Sequence, residues 1–274
     1  MAIAPWAFAN PPSRPRNPEV ILAAFGSGAL AEDIPLSLSR FGIASAEAAQ
    51  AVDIREIEAA RDPEWFAAWR AGSLRAIAEQ DLDGELAALD AADRLHMITA
   101  APAEPTDLAY LQTAWGIARY LVARGAAIVL DVHAMTYHHA AAIPAADAPL
   151  DVTRELRIIF ETTATRPDGA HALHTRGMRK FGVPDLVALC TDDDMDLVGA
   201  VIKQVACNAA LGAMELDHGT AVDLDESATW VIANDEHGVG GLLGLNNDAR
   251  VLVDDDGAHL VGERARIEAA RRRS

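Results

Sequence analysis

The chain has 274 residues, 51% of them hydrophobic, with 41 acidic against 23 basic side chains and a formal net charge of -18. That much apolar material excludes a chain disordered throughout. That much negative charge repels phosphate, so neither nucleic acid nor an anionic membrane surface is an expected partner. The length suits one large domain or two small ones. Cys190 and Cys207 are the only cysteines, too few for a disulfide scaffold and in keeping with a reducing, cytoplasmic setting. The segment from Met1 to Phe8 lacks a basic region and is broken by Pro5, so it does not read as a signal peptide. No apolar run approaches the roughly 20 residues of a membrane helix.

In chain order, residues 1–18 are rich in proline, which blocks helix and ladder pairing alike, and read as an extended or mobile arm. Glu19 to Phe25 reads as a strand ending at Gly26-Ser27-Gly28, a turn that lacks the rest of a phosphate-binding fingerprint. Residues 44–61 read as a helix capped by Ser45. Asp62-Pro63-Glu64 starts another, with a cap, a proline at the first helical position and an acid on the positive end of the dipole; Trp65 and Trp69 share its face. Leu95 to Ala100 reads as a strand. A helix capped by Thr106 carries Leu108, Leu111, Trp115, Ala118 and Val122 and stops at Gly125, before an apolar strand from Ala126 to Val132. This is a β-α-β unit.

Residues 152–163, rich in β-branched side chains, read as a long strand, 164–170 as a turn, and 171–175 as a short strand. Beyond Pro184, Asp185 to Cys190 reads as a strand. Asp192, Asp193 and Asp194 open a helix to near Gly212, and Met214 to Leu216 begins another strand. Both Leu130-Asp131 and Leu216-Asp217 follow a helix and a glycine, which points to two similar α/β halves. A strand over 229–233, a Gly-rich loop over 238–244, a hairpin around 254–257 and a short basic helix complete the chain.

The expected fold is therefore α/β, with α+β as the alternative: two similar halves, ferredoxin-like in arrangement, behind an N-terminal strand and helices. The expected divisions are a Pro-rich arm at 1–18, a first half at 19–163 and a second at 164–274.

Three groupings could carry chemistry. Asp131, His133, His138 and His139 cluster at the end of a buried strand, where α/β sheets collect ligands, and could hold a divalent metal; they match no known ligand spacing. Asp192–Asp194 is what a helix N-terminus favours in any protein. The third is His174-Thr175-Arg176-Gly177-Met178-Arg179-Lys180-Phe181-Gly182-Val183-Pro184-Asp185-Leu186, with three cations in five positions, including one of only two lysines. A helical turn here would expose Arg176, Arg179 and Lys180 with free N–H groups at Gly177, and with His174 it could hold a small anion. The same cations could equally offset acidic neighbours. The anion reading expects this turn to share a crevice with Asp131 and His133. No Gly-x-Ser-x-Gly nucleophile motif is present, and neither cysteine sits among cations.

The 174–186 stretch, followed by a helix from near Met195 to Gly212, by Gly219-Thr220 and by Trp230 in a strand, resembles the bacterial domain-of-unknown-function 4261 family, with its Thr-x-Gly-(apolar)-x-x-Phe-Gly-x-Pro-Asp/Glu pattern. The resemblance covers about 171–262, and residues 93–143 resemble what precedes this domain in longer members. It implies no activity and transfers no catalytic residues. The expected function is that of an acidic cytoplasmic protein, non-enzymatic, binding or regulatory, of an immunity or stress type. Its expected partner is a basic protein or a small anion, with no cofactor favoured. The alternative is a metal-dependent hydrolase built on the histidines. Oligomeric state is not legible.

Overall fold

The structure, a computed structural model of the chain, describes residues 4–27, 36–161, 169–225 and 228–271. It is a mixed α/β protein of the α+β kind, with sheets of five and six strands and, among the described residues, ten α-helices. The chain divides into two compact units, Met1–Asp151 and Val152–Ser274.

The first unit contains β1 (Val20–Gly26), α1 (Leu38–Phe41), α2 (Ala46–Gln50), β2 (Val52–Glu58), α3 (Pro63–Ala68), α4 (Gly72–Asp81), α5 (Ala87–Asp90), β3 (Arg94–Ala100), α6 (Ala109–Ala123), β4 (Ala126–Asp131) and β5 (Thr136–His139). Its sheet runs β2-β3-β1-β4-β5, every neighbouring pair antiparallel. β3 and β4 both oppose β1, so they are parallel to each other with β1 between them. The β-α-β unit read from the sequence exists, split by the inserted strand. β1 can take this place because its VILAAF run is buried almost throughout.

One face of the sheet is covered by α6, whose buried stripe includes Leu111, Ala114, Trp115, Ala118 and Leu121. The other packs Phe25, Leu95, Ile128, Leu130 and Tyr137 against Phe66, Leu82 and Leu89. The Phe25 and Phe66 rings meet edge to face at 6.5 Å, and the Tyr137 hydroxyl donates to Trp69 O at 2.8 Å.

The proline-rich arm is extended but docked. Trp6 is buried; its backbone N–H donates to Gln112 Oε1 at 3.0 Å and its indole N–H to Ala148 O at 3.2 Å, while Glu104 N–H donates to Arg16 O. The expected 44–61 helix is corrected. Ser45 does cap a helix, accepting from Ala48 N–H, but that helix ends at Gln50 and V-D-I-R-E-I-E forms β2, paired with β3 over seven residues. Period-two alternation beside a waiting strand outweighed the helix propensity of its Glu and Arg. Asp62 and Pro63 start α3 as expected, and the Trp65 and Trp69 rings meet at 5.3 Å. α6 begins at Ala109, with Asp107 Oδ1 accepting its first N–H, so Thr106 is not its cap.

The second unit contains α7 (Val152–Glu155), β6 (Arg157–Glu161), β7 (His171–Arg176), β8 (Asp185–Cys190), α8 (Met195–Ala210), β9 (Ala221–Asp225), β10 (Ala228–Asn234), α9 (Val239–Leu242), β11 (Ala249–Asp254) and α10 (Glu263–Arg271). Its sheet runs β6-β7-β8-β11-β10-β9, with β8–β11 the one parallel pair among the described strands. α8 packs on β7 and β8; Val239 of α9 joins Ala172, Val187, Leu189 and Ala249 in a separate cluster.

Four expectations change here. The long strand over 152–163 is α7 followed by β6; β6 pairs with β7 and so belongs to the second sheet, and residues 162–168 lie outside the described residues. Met214 to Leu216 is not a strand, so the Leu-Asp recurrence marks no structural repeat. The two sheets differ in strand number and order, and neither unit has the β-α-β-β-α-β sequence of a ferredoxin-like fold. Asp254 does hold a tight turn, its Oδ1 accepting from Asp256 and Ala258 N–H. Beyond it the chain makes only an isolated bridge, Leu260 to Cys190; the hairpin partner of β11 is β10.

Candidate functional site: the turn between β7 and β8

The 174–186 stretch leaves β7, makes one tight 3-10 turn over Met178–Phe181, and enters β8. Two glycines bracket the turn in the left-handed region, Gly177 at φ 100° and Gly182 at φ 68°. A side chain there is strained. Gly182→Val is therefore expected to lower stability by about 1–2 kcal/mol, read as a shift of the urea midpoint at unchanged slope; an unshifted midpoint would contradict it.

Within the turn Met178 and Phe181 are fully buried. Lys180 is fully buried too, and its ammonium donates to Glu155 Oε2 at 2.6 Å, with the Glu155 side chain 3% exposed. The lysine expected to present charge to a ligand faces the interior of its unit. Side chains in a 3-10 turn eclipse every third residue, which stacks Met178 with Phe181; Lys180 lies off that row, and its buried partner is Glu155.

Thr175 and Asp185 link the two strands. The Thr175 hydroxyl donates to Asp185 Oδ1 at 2.9 Å and accepts from Leu186 N–H at 2.8 Å. Asn247 Nδ2 donates to Asp185 Oδ2 at 3.0 Å and to Val183 O at 2.9 Å, and Asp185 N–H donates to Asp248 O. Asp185 is 2% exposed, and burial pushes its carboxyl up to about 6 against the opposing pull of Asn247, Thr175 and the Met178 N–H.

Of the remaining expected ligand residues, His174 is fully buried. Its Nδ1 lies 3.2 Å from Thr175 O and its Nε2 3.6 Å from Glu161 Oε1; burial, foremost, holds its pKa below the ordinary value. Arg176 Nη2 reaches Leu243 O and Gly244 O, both at 3.4 Å, and Arg179 Nη1 reaches Asn246 O at 3.4 Å. Gly177 serves the turn. The arrangement fixes β7, β8 and the 243–247 loop to one another.

The four residues read as metal ligands are spread by their hairpin. His138 pairs with Val129 and His139 with Ile128, so adjacent histidines take opposite faces. His138 packs its ring on Trp115 of α6 at 5.5 Å, while His139 Nε2 lies 3.9 Å from Glu85 beyond the other face. Asp131 Oδ1 accepts from Ala134 N–H in the connecting turn, where Met135 is left-handed at φ 55°. His133 is buried, its Nε2 3.5 Å from Glu19 Oε2. Among the described residues no group of three or more His, Cys, Asp or Glu is placed to hold a metal ion. Arg176 belongs to the second unit and His133 to the first, so neither unit by itself brings the two together. Cys190 is buried, and burial with Asp194 and Asp192 pushes its thiol up to about 11.

The sequence reading gave Glu155, Glu161 and Asn247 no role at the site, and named Thr175 and Asp185 only as positions of the 174–186 pattern and, for Asp185, as a strand start. A carboxylate at the head of the apolar run Leu186-Val187-Ala188-Leu189 was the one available signal, since an acid buried in such a run requires donors. Compared with protein-family models, with curated proteins and with solved structures, the chain matches none of them.

Proposed function

We propose that the protein is a non-enzymatic binding protein whose partner is a basic protein. The observation that carries this is how the scarce cations are used. Arg70 Nη1 donates to the carbonyls of Leu89, Asp90 and Ala92; Arg119 to Phe41 O and Pro144 O; Arg250 to Leu216 O and Ala249 O. Arg176 and Arg179 do the same, and Lys180 is buried against Glu155. These cations are engaged with backbone carbonyls or a buried acid, while Arg61, Arg75, Arg94 and Arg266 pair with carboxylates; with 41 acids against 23 bases an acid excess is left to complement a basic surface. The buried state of Lys180, His174 and Asp185 supports this reading over catalysis, because a reacting group must meet its substrate. No helix among the described residues is long and apolar enough to cross a membrane, which is compatible with the cytoplasmic setting proposed. Kinship with the domain-of-unknown-function 4261 family is likewise a proposal, supported by the places that Thr175, Gly177, Met178, Phe181, Gly182 and Asp185 hold in and beside the turn.

The test is capture of partners on the full-length chain with elution in rising salt, alongside a duplex-DNA gel shift. Proteins of basic net charge should elute as screening sets in, with a Debye length falling from about 10 Å at 0.1 M toward 3 Å at 1 M. DNA should show no sub-micromolar complex at physiological salt. Capture without enrichment for basic proteins, or a tight DNA complex with a steep salt slope, refutes the reading.

A further inference from the structure

We propose that the outer edge of β2 is the seam of a two-fold dimer, in which a second copy of this chain pairs antiparallel through residues 51–57 and extends the five-stranded sheet across the interface. β2 is the terminal strand of its sheet, and among the described residues nothing pairs with its free edge. It is seven residues long and is matched to β3 without a bulge. It has no proline, no lysine and no register break, and of the usual edge protections it carries only charged side chains, Asp53, Arg55, Glu56 and Glu58. Asp53, Ile54, Arg55 and Glu56 are all exposed, Ile54 at 43%. Of the other edge strands, β5 has four residues and no exposed one, all five residues of β6 are half-buried, and β9 has five residues against the seven of β2.

The residue order selects both the occupant and the register. A two-fold axis normal to the sheet keeps like faces together, so a residue must oppose one of its own parity. Centred on Ile54, the axis places Ile54 against Ile54 and Asp53 against Arg55 twice, once on each side. It also sets Val52 against Glu56 and Ala51 against Ile57. Two opposite-charge cross-strand pairs thus flank an apolar pair. Asp53 and Arg55 lie on one face, two residues apart, and neither has an ion pair among the described residues; Glu56 is already held by Arg94 and lies 3.5 Å from His96. Centring on Arg55 would oppose two guanidiniums and set Ile54 against Glu56. Centring on Glu56 would oppose two carboxylates and leave Asp53 against Ala59. Only the Ile54 register pairs every charge it brings together with an opposite one, apart from Glu56, which has its own partner.

The experiment is sedimentation equilibrium of the full chain over a concentration series, with far-ultraviolet circular dichroism confirming that each variant is folded. The native chain should dimerise. Ile54→Lys, Asp53→Arg and Arg55→Asp, all at exposed positions, should each weaken the dimer roughly tenfold or more, since each sets like charges or buried ammoniums across the axis. The double variant Asp53→Arg/Arg55→Asp swaps both signs, restores both pairs, and should recover most of the native affinity. A native chain monomeric at every concentration overturns the proposal. So does a dimer indifferent to Ile54→Lys, or a double variant as weak as its parents. These outcomes leave the basic-partner reading untouched, because that reading concerns the surface as a whole.

Discussion

Replacing Lys180 with methionine is expected to destabilise the second unit by about 3–5 kcal/mol, the cost of breaking a buried pair by removing one member. The ammonium is fully buried 2.6 Å from Glu155 Oε2, and the carboxylate that remains is 3% exposed. Methionine fills nearly the same volume, so the loss is electrostatic and leaves little cavity. Without the ammonium at 2.6 Å, Glu155 must hold its charge in the interior with less compensation or take up a proton. Urea unfolding measures the difference. Lys180→Met/Glu155→Leu, which removes both charges, should recover most of it, because a buried pair is often no more stabilising than an apolar replacement of similar volume. Added salt should barely change the result, since the pair is out of reach of screening ions. A loss under about 1 kcal/mol, the range of an ordinary surface substitution, would show that the pair is not buried in solution.

The second large effect is a pH dependence traced to Asp185. Burial raises its carboxyl from the ordinary 3.8 to about 6 in the folded chain. Between those values the folded state keeps a proton that the unfolded state has released. Stability from this group is therefore full below about pH 4, falls as pH rises, and is lost above about pH 6, by about 3 kcal/mol at most. Most carboxylates in native proteins act in the opposite sense. Asp185→Asn removes the titration, so the unfolding free energy of the native chain minus that of the variant should fall across this window. Subtracting the variant cancels the other acids. A difference that is flat or rises with pH would mean that the donors Thr175, Asn247 and Met178 N–H outweigh burial.

How far the sequence could be read depended on whether a residue's role was local. The strands at 20–26, 94–100, 126–131, 171–176 and 185–190, and helices α6 and α8, were legible as apolar runs and helical stripes bounded by glycine. Ser45 and Asp62 were legible as caps, and Gly182 as a left-handed turn residue, because a cap or a turn is settled within four residues. β2 was not legible. Its charged alternation is compatible with a helix until β3 stands beside it to take seven residue pairs. Val152–Glu155 was lost in the same way: β-branched residues suggested a strand, but the segment became a helix whose Glu155 meets Lys180, 25 positions later.

The candidate site shows the division most sharply. From the sequence alone, 174–186 was identifiable as an unusual basic turn between two strands, and its glycines determined the backbone. Which way its cations pointed was decided by tertiary packing. Lys180 and Asp185 gain partners, Glu155 and Asn247, that are far away in sequence, and the histidines of β5 part because pairing with β4 sends neighbours to opposite faces. Local conformation follows from short-range sterics and hydrogen bonding, which the sequence carries directly. Whether a charge meets solvent, a ligand or a buried counter-ion depends on long-range contacts, and those exist only once the sheets have formed.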